Sequence, residues 1–226
     1  MNDQLTEILE NNLGINDITA ISEYLLLHGN EIGDLMQGLQ NCSANYLKNA
    51  GWALMHVAKK DVSVIFPYRQ ICYEAVLQYQ DERILRNLLF VANALFGIST
   101  DEEKRAHFEL YDRCIAIVTS ELFAPGTRSN ALSILEQFCK IEPELSQEII
   151  IIINAIMDYA SAGLKSKAQK VLKSLNRRIG QTEKQAPENN DETAGKGGFS
   201  GTPKEFPDDE SHYGNGKKRQ NEEKNT

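Results

Sequence analysis

Between Tyr46 and Phe96 the chain writes the same helix twice. Displaced by 38 positions, Leu47 falls on Leu85, Lys48 on Arg86, Asn49 on Asn87, Trp52 on Phe90, Leu54 on Ala92 and Val57 on Leu95. Two looser copies follow. Ala50 is matched by Leu88, Ala131 and Ala168; four residues on come Leu54, Ala92, Leu135 and Leu172; seven residues on come Val57, Leu95, Phe138 and Leu175. Offsets of 0, +4 and +7 mark one face of an α-helix, and the copies recur at intervals of 38, 43 and 37 residues. One helix cannot bury such a stripe alone, so the pattern predicts helical hairpins stacked into a solenoid.

Composition changes near Ile179. Residues 1–180 hold 17 Lys/Arg and 22 Asp/Glu and are rich in Leu, Ile and Ala, enough for a continuous core. Residues 181–226 hold 7 and 10, have no periodicity, and carry only Phe199, Phe206 and Tyr213 as sizeable apolar groups. Such a segment buries too little to offset chain entropy, so a disordered tail is expected over 180–226. A net charge of −8 disfavours a nucleic-acid backbone as the main partner. The start, MNDQLTEILENN, has neither a basic nor an apolar leader region, and no apolar run approaches the ~20 residues that span a bilayer. A cytoplasmic location without membrane contact is the expectation. Cys42, Cys72, Cys114 and Cys139 show no CxxC pairing, and are read as buried small hydrophobes rather than disulfide or metal ligands.

The helical stretches read as follows. Residues 3–13, 17–27 and about 31–40 form capping helices that cover the open end of the core (1–42), with Asn16 or Asp17 capping the second. The repeats occupy 43–179. Ser43 or Asn45 caps a helix to about Lys59. Asp61 caps one from Val62 to Gln78, bent at Pro67. Then come Arg83–Phe96, stopped by Gly97, and Asp101 to about Glu121, burying Phe108, Tyr111, Ile115 and Val118. After a break at Pro125-Gly126, Thr127–Lys140, Pro143–Tyr159 and Leu164–Ile179 complete the series. No strand or hairpin signal occurs.

The segments NAGWALMHVAKK (49–60), IFPY (65–68), ILRNLLFVANAL (84–95), Pro143-Glu144-Leu145 and KSKAQKVLKSL (165–175) resemble HEAT-like α-solenoid repeats, in particular those of small bacterial HEAT-repeat proteins. The likeness covers roughly 43–178. It implies an all-α, right-handed HEAT/armadillo-like solenoid serving as an interaction scaffold, with the second helix of each pair lining the concave side. The arginine usual early in that helix is met only by Arg128 and Lys165; Leu47 and Leu85 stand in its place, so the first two repeats diverge.

No phosphate loop, dinucleotide fingerprint, HExxH or nucleophile elbow is present, so no catalytic residue, cofactor or metal is expected. His28, His56, His107 and His212 are scattered, and His107 reads as a surface or capping histidine. On the helical wheel, Lys48 and Trp52 point away from the core face, as do Arg86 and Phe90, with Asn93 close by. Either neighbouring helices cover these rings, or they form a ligand strip, since aromatic and cationic anchors dominate binding hot spots. Asn49, Asn87 and Asn130 recur just before the aligned core position. They either fix the stacking by hydrogen bonds between repeats or form a peptide-binding ladder. A non-enzymatic scaffold with a protein or peptide partner leads. The alternative is a nucleic-acid or DNA-repair role, because HEAT-like repeats also form alkylated-base DNA glycosylases; here no carboxylate falls on the strip in the first two copies. A purely structural role would follow if the strip were buried in a homodimer.

Overall fold

The structure is a computed structural model that describes residues 3–40 and 42–185, all within one compact unit, Met1–Pro187. Eleven α-helices and two single 3₁₀ turns build it, with no strand among the described residues. They are α1 (Asp3–Leu9), α2 (Ile15–Leu27), α3 (Glu31–Gly38), α4 (Ala44–Lys60), α5 (Arg69–Gln78), α6 (Glu82–Ile98), α7 (Asp101–Arg105), α8 (Glu109–Thr119), α9 (Pro125–Ile141), α10 (Leu145–Met157) and α11 (Ala162–Gln185). The tail expected beyond, with Phe199, Phe206 and Tyr213, lies outside the described residues.

The helices form two rows. In the B row, α2, α4, α6, α9 and α11 each pack against the next. In the A row, α3, α5, α8 and α10 each lie against the B helix that follows in sequence: α3 on α4, α5 on α6, α8 on α9, α10 on α11. The repeat stripe is the reason. Ala50, Leu54, Val57, Leu88, Ala92, Leu95, Ala131, Leu135, Phe138, Ala168 and Leu175 are all buried between the rows, and only Leu172 of that set is half-buried. Small residues set the spacing where α4 meets α6. A Cβ added at Gly51 would lie 3.6 Å from Cβ of Asn87 and 3.8 Å from a methyl of Leu88, so the two helices are already in contact there. Farther along, Phe138 is ringed by Phe96, Phe108 and Tyr111 at centroid separations of 4.9–5.6 Å.

Polar side chains stitch the helices, within and between hairpins, through backbone carbonyls that helix ends leave unpaired. Arg113 on α8 donates to the carbonyls of Tyr79 (2.8 Å) and Val76 at the end of α5. Arg128 on α9 donates to Val118 of α8 at 2.9 Å, and the Tyr79 hydroxyl donates to the carbonyl of Leu39 beyond α3.

Several boundaries differ from expectation for identifiable reasons. Asp61 does accept from the Ser63 amide, but Val62–Val64 and Phe66–Tyr68 are 3₁₀ turns and the helix begins only at Arg69: Pro67 breaks the segment instead of bending it. The 101–121 stretch is two helices interrupted at Ala106–Phe108, which turns Phe108 outward to 40% exposure while Leu110, Cys114 and Ile117 take the core. α2 starts at Ile15, with Gly14 as N-cap whose amide donates to Asp17. Gly97 does not stop α6, which runs to Ile98. Pro125 opens α9 at its first turn, where its missing N–H costs nothing. α11 continues past Ile179 to Gln185. Cys72, Cys114 and Cys139 are buried and Cys42 half-buried, all four as free thiols.

Candidate interaction face on the B row

Each B helix turns one side to the A row and the other away from it. On the outward side lie the residues singled out by the helical wheel. Lys48 and Trp52 come from α4, and Arg86, Phe90 and Asn93 from the adjacent α6. Arg86 is exposed, while Lys48, Trp52, Phe90 and Asn93 are half-buried. Trp52 rests against the core and meets the His56 ring edge-on at 6.4 Å. Burial, then Lys59 and Lys60, hold the His56 pKa below its ordinary value, favouring the neutral ring beside the indole.

The cation against Phe90 is not Arg86 from its own helix. It is Lys59 of α4, whose Nζ stands 5.3 Å from the ring centroid. Arg86 instead lies across the start of α9: a Cβ added at Gly126 would sit 3.2 Å from its Nε. The three asparagines do different things. Asn49 is buried, and its Nδ2 donates to the carbonyls of Leu9 (2.8 Å) and Asn11 (2.9 Å), tying α4 to the end of α1. Asn130 donates to the carbonyl of Arg86 at 3.0 Å, tying α9 to α6. Asn87 is half-buried and packs opposite Gly51.

The repeat register carries this strip into the last two repeats with different chemistry. Positions matching Trp52 and Phe90 are Ser133 and Lys170; those matching Asn93 are Glu136 and Lys173; those matching Lys59 and Gly97 are Lys140 and Arg177. The structure brings these together. Asn93, Ala94 and Gly97 of α6, Lys104 of α7, Ser133, Glu136, Gln137 and Lys140 of α9, and Lys167 of α11 line a groove of about 480 Å³. Lys170, Lys173, Ser174 and Arg177 line a smaller depression of about 210 Å³ on α11. Across the groove floor, Gln137 Nε2 donates to both the carbonyl (2.9 Å) and Oδ1 (2.7 Å) of Asn93.

The residues named from the sequence are the aromatic end of this outward side, with Asn93; the polar end was not named. The missed residues are Lys59, Lys104, Gln137, Lys140 and Lys167. Lys59 and Lys140 were present in the register, but exposed lysines at degenerate repeat positions resemble any solvated helix face; Lys104 and Lys167 are half-buried and lie outside it. His107 lies over the Tyr73 ring at 4.7 Å, with Nδ1 3.8 Å from Glu109. Among the described residues, no cluster of His, Cys, Asp or Glu is arranged to hold a metal ion. None of their helices is long and apolar enough to cross a membrane.

Comparison with known proteins gives one result. The model of the HEAT repeat domain matches residues 5–175, from within α1 to within α11. No curated protein and no solved structure matches the chain. With its two-row stack of hairpins and a match over most of its length, the chain belongs to the HEAT-repeat family.

Proposed function

We propose that the protein is a non-enzymatic interaction scaffold whose B face holds a segment of a partner protein. HEAT repeats serve widely as such scaffolds, and the carrying observation is the continuity of the outward strip. It starts with half-buried aromatics on α4 and α6 and runs into the polar groove across α6, α9 and α11. A face that served only to stack helices would need neither a half-exposed indole nor a cation held over a ring. Trp52 and Phe90 supply apolar anchoring area at low entropic cost, while Asn93, Gln137 and the lysines supply orientation. Adjacent B helices are spaced about 8–10 Å apart. The steps from α6 to α11 therefore span about 16–20 Å, the reach of roughly five or six extended residues.

Site-specific photo-cross-linking tests the assignment. A photoreactive residue placed at Lys48, Arg86 or Ser129 on the B row is compared with one at Glu74, Asp112 or Ala155 on the A row. The expected result is a discrete partner band from the B-row positions alone. Equal yields from both rows, or yield from the A row only, would refute it.

A further inference from the structure

Resting on that assignment of the B face, the distribution of charge names the chemistry of what the face takes. We infer that the groove between α6, α9 and α11 binds the carboxylate side chains of an acidic peptide segment of the partner. The protein as a whole is acidic, at −8, yet residues 159–182 contain six Lys or Arg and no Asp or Glu. Positive charge gathers where the repeat register opens the outward face.

Three lysines from three different helices line the groove: Lys104 from α7, Lys140 from α9 and Lys167 from α11. One carboxylate, Glu136, faces them in the lining. It accepts from Lys167 at 3.5 Å, and Lys104 pairs at 3.6 Å with Asp101, which is outside the lining. An ammonium carries three N–H donors, so each lysine keeps donors to give. Lys140 is exposed and has no carboxylate within ion-pair range among the described residues.

The floor is neutral: Gln137 Nε2 donates to two oxygens of Asn93, so Asn93 Nδ2 keeps donors and Gln137 Oε1 keeps acceptor sites. The bias comes from the lysines, three in the lining against the single carboxylate of Glu136, and that net positive charge suits carboxylates. Next along the strip, Lys170, Lys173 and Arg177 continue the same sign. In the other direction lie the aromatics of α4 and α6. The matching ligand carries an aromatic or aliphatic residue followed, about five positions on, by Asp or Glu.

The probe is a fluorescein-labelled synthetic peptide with one phenylalanine and a glutamate block at that spacing, set against a copy with glutamine in the block. Fluorescence anisotropy with the full chain should show binding of the glutamate peptide that weakens with added salt, and at least tenfold weaker binding of the glutamine copy. K140E, at an exposed position, should weaken binding about tenfold, whereas R83E, the same charge change at the other end of α6, should alter it by less than about twofold. E136Q removes the competing carboxylate and should tighten binding about two- to threefold, a gain that a damaged fold does not produce.

Equal affinity for the two peptides would overturn the inference. So would equal weakening by K140E and R83E, which would reduce the effect to net charge. Displacement of the peptide by a duplex oligonucleotide at the same or lower concentration would also overturn it, and so would displacement by inorganic phosphate. None of these results bears on the cross-linking comparison of the two rows, which tests separately whether the B face is the interaction face.

Discussion

Replacing Asn49 by Ala should loosen the first contact in the stack by about 2–3 kcal/mol. The side chain is buried, and its Nδ2 donates to the carbonyls of Leu9 and Asn11. α1 has seven residues, too few to persist as a helix by itself, so it depends on docking. Two neutral hydrogen bonds contribute about 1 kcal/mol each, and a buried carbonyl left without a donor adds about 1–3 kcal/mol. Against this, Asn49 Oδ1 is buried without a hydrogen-bond partner among the described residues, and its removal returns part of that penalty. Urea denaturation should therefore move to a lower midpoint by on the order of 1 M.

N49D is the sharper variant, because it sets a carboxyl against two carbonyl oxygens. That group's folded-state pKa must rise above the unfolded value of about 3.9. The variant then stands closest to the wild type below the unfolded pKa and loses ground as pH rises through the folded pKa. A midpoint for N49A unchanged within error, or an N49D deficit independent of pH, would refute the assignment of Asn49 to stacking and favour a ligand-binding ladder.

Three further outcomes follow. F138A, at the centre of the Phe96–Phe108–Tyr111 cluster, should lose about 3–5 kcal/mol by thermal or urea unfolding. Glu103 accepts from the Thr100 amide and hydroxyl and from Arg69, and its carboxyl is held below the usual range, first by that backbone amide. Its contribution is present above the unfolded carboxylate pKa and lost as pH falls, so E103Q should narrow the stability gap between neutral and acidic pH measured by urea titration. Burial pushes the Cys72 thiol up to about 12 and Cys139 to about 11, while Cys42 is half-buried. Timed maleimide labelling read by mass spectrometry should modify Cys42 first, with the other three protected until unfolding.

The B-row core was legible because it obeys a period. Ala50, Leu54 and Val57 and their copies, Leu172 excepted, are buried where the offsets place them, and that alone implied a two-row stack. Breaks inside the A row were not legible. Pro67 sits early enough in its segment that the chain takes two 3₁₀ turns before a full helix forms, and nothing in the sequence distinguishes that from a bend. The interruption at Ala106–Phe108 has no proline or glycine to announce it. At the candidate face, Trp52 and Phe90 stood out because large rings are rare on an outward side. Lys59 did not, because its partnership with Phe90 runs between two helices whose register only the packing decides. The groove lysines come from α7, α9 and α11, separated in sequence by more than sixty positions from first to last. Only the closing of the stack brings them to one place.

Amide hydrogen exchange of the full chain, alone and with its cross-linked partner, tests the central claim most directly. Binding on the B face predicts added protection in α4, α6, α9 and the first half of α11, with α3, α5, α8 and α10 unchanged on the same timescale. Protection confined to the A row, or spread evenly over both rows, would contradict it.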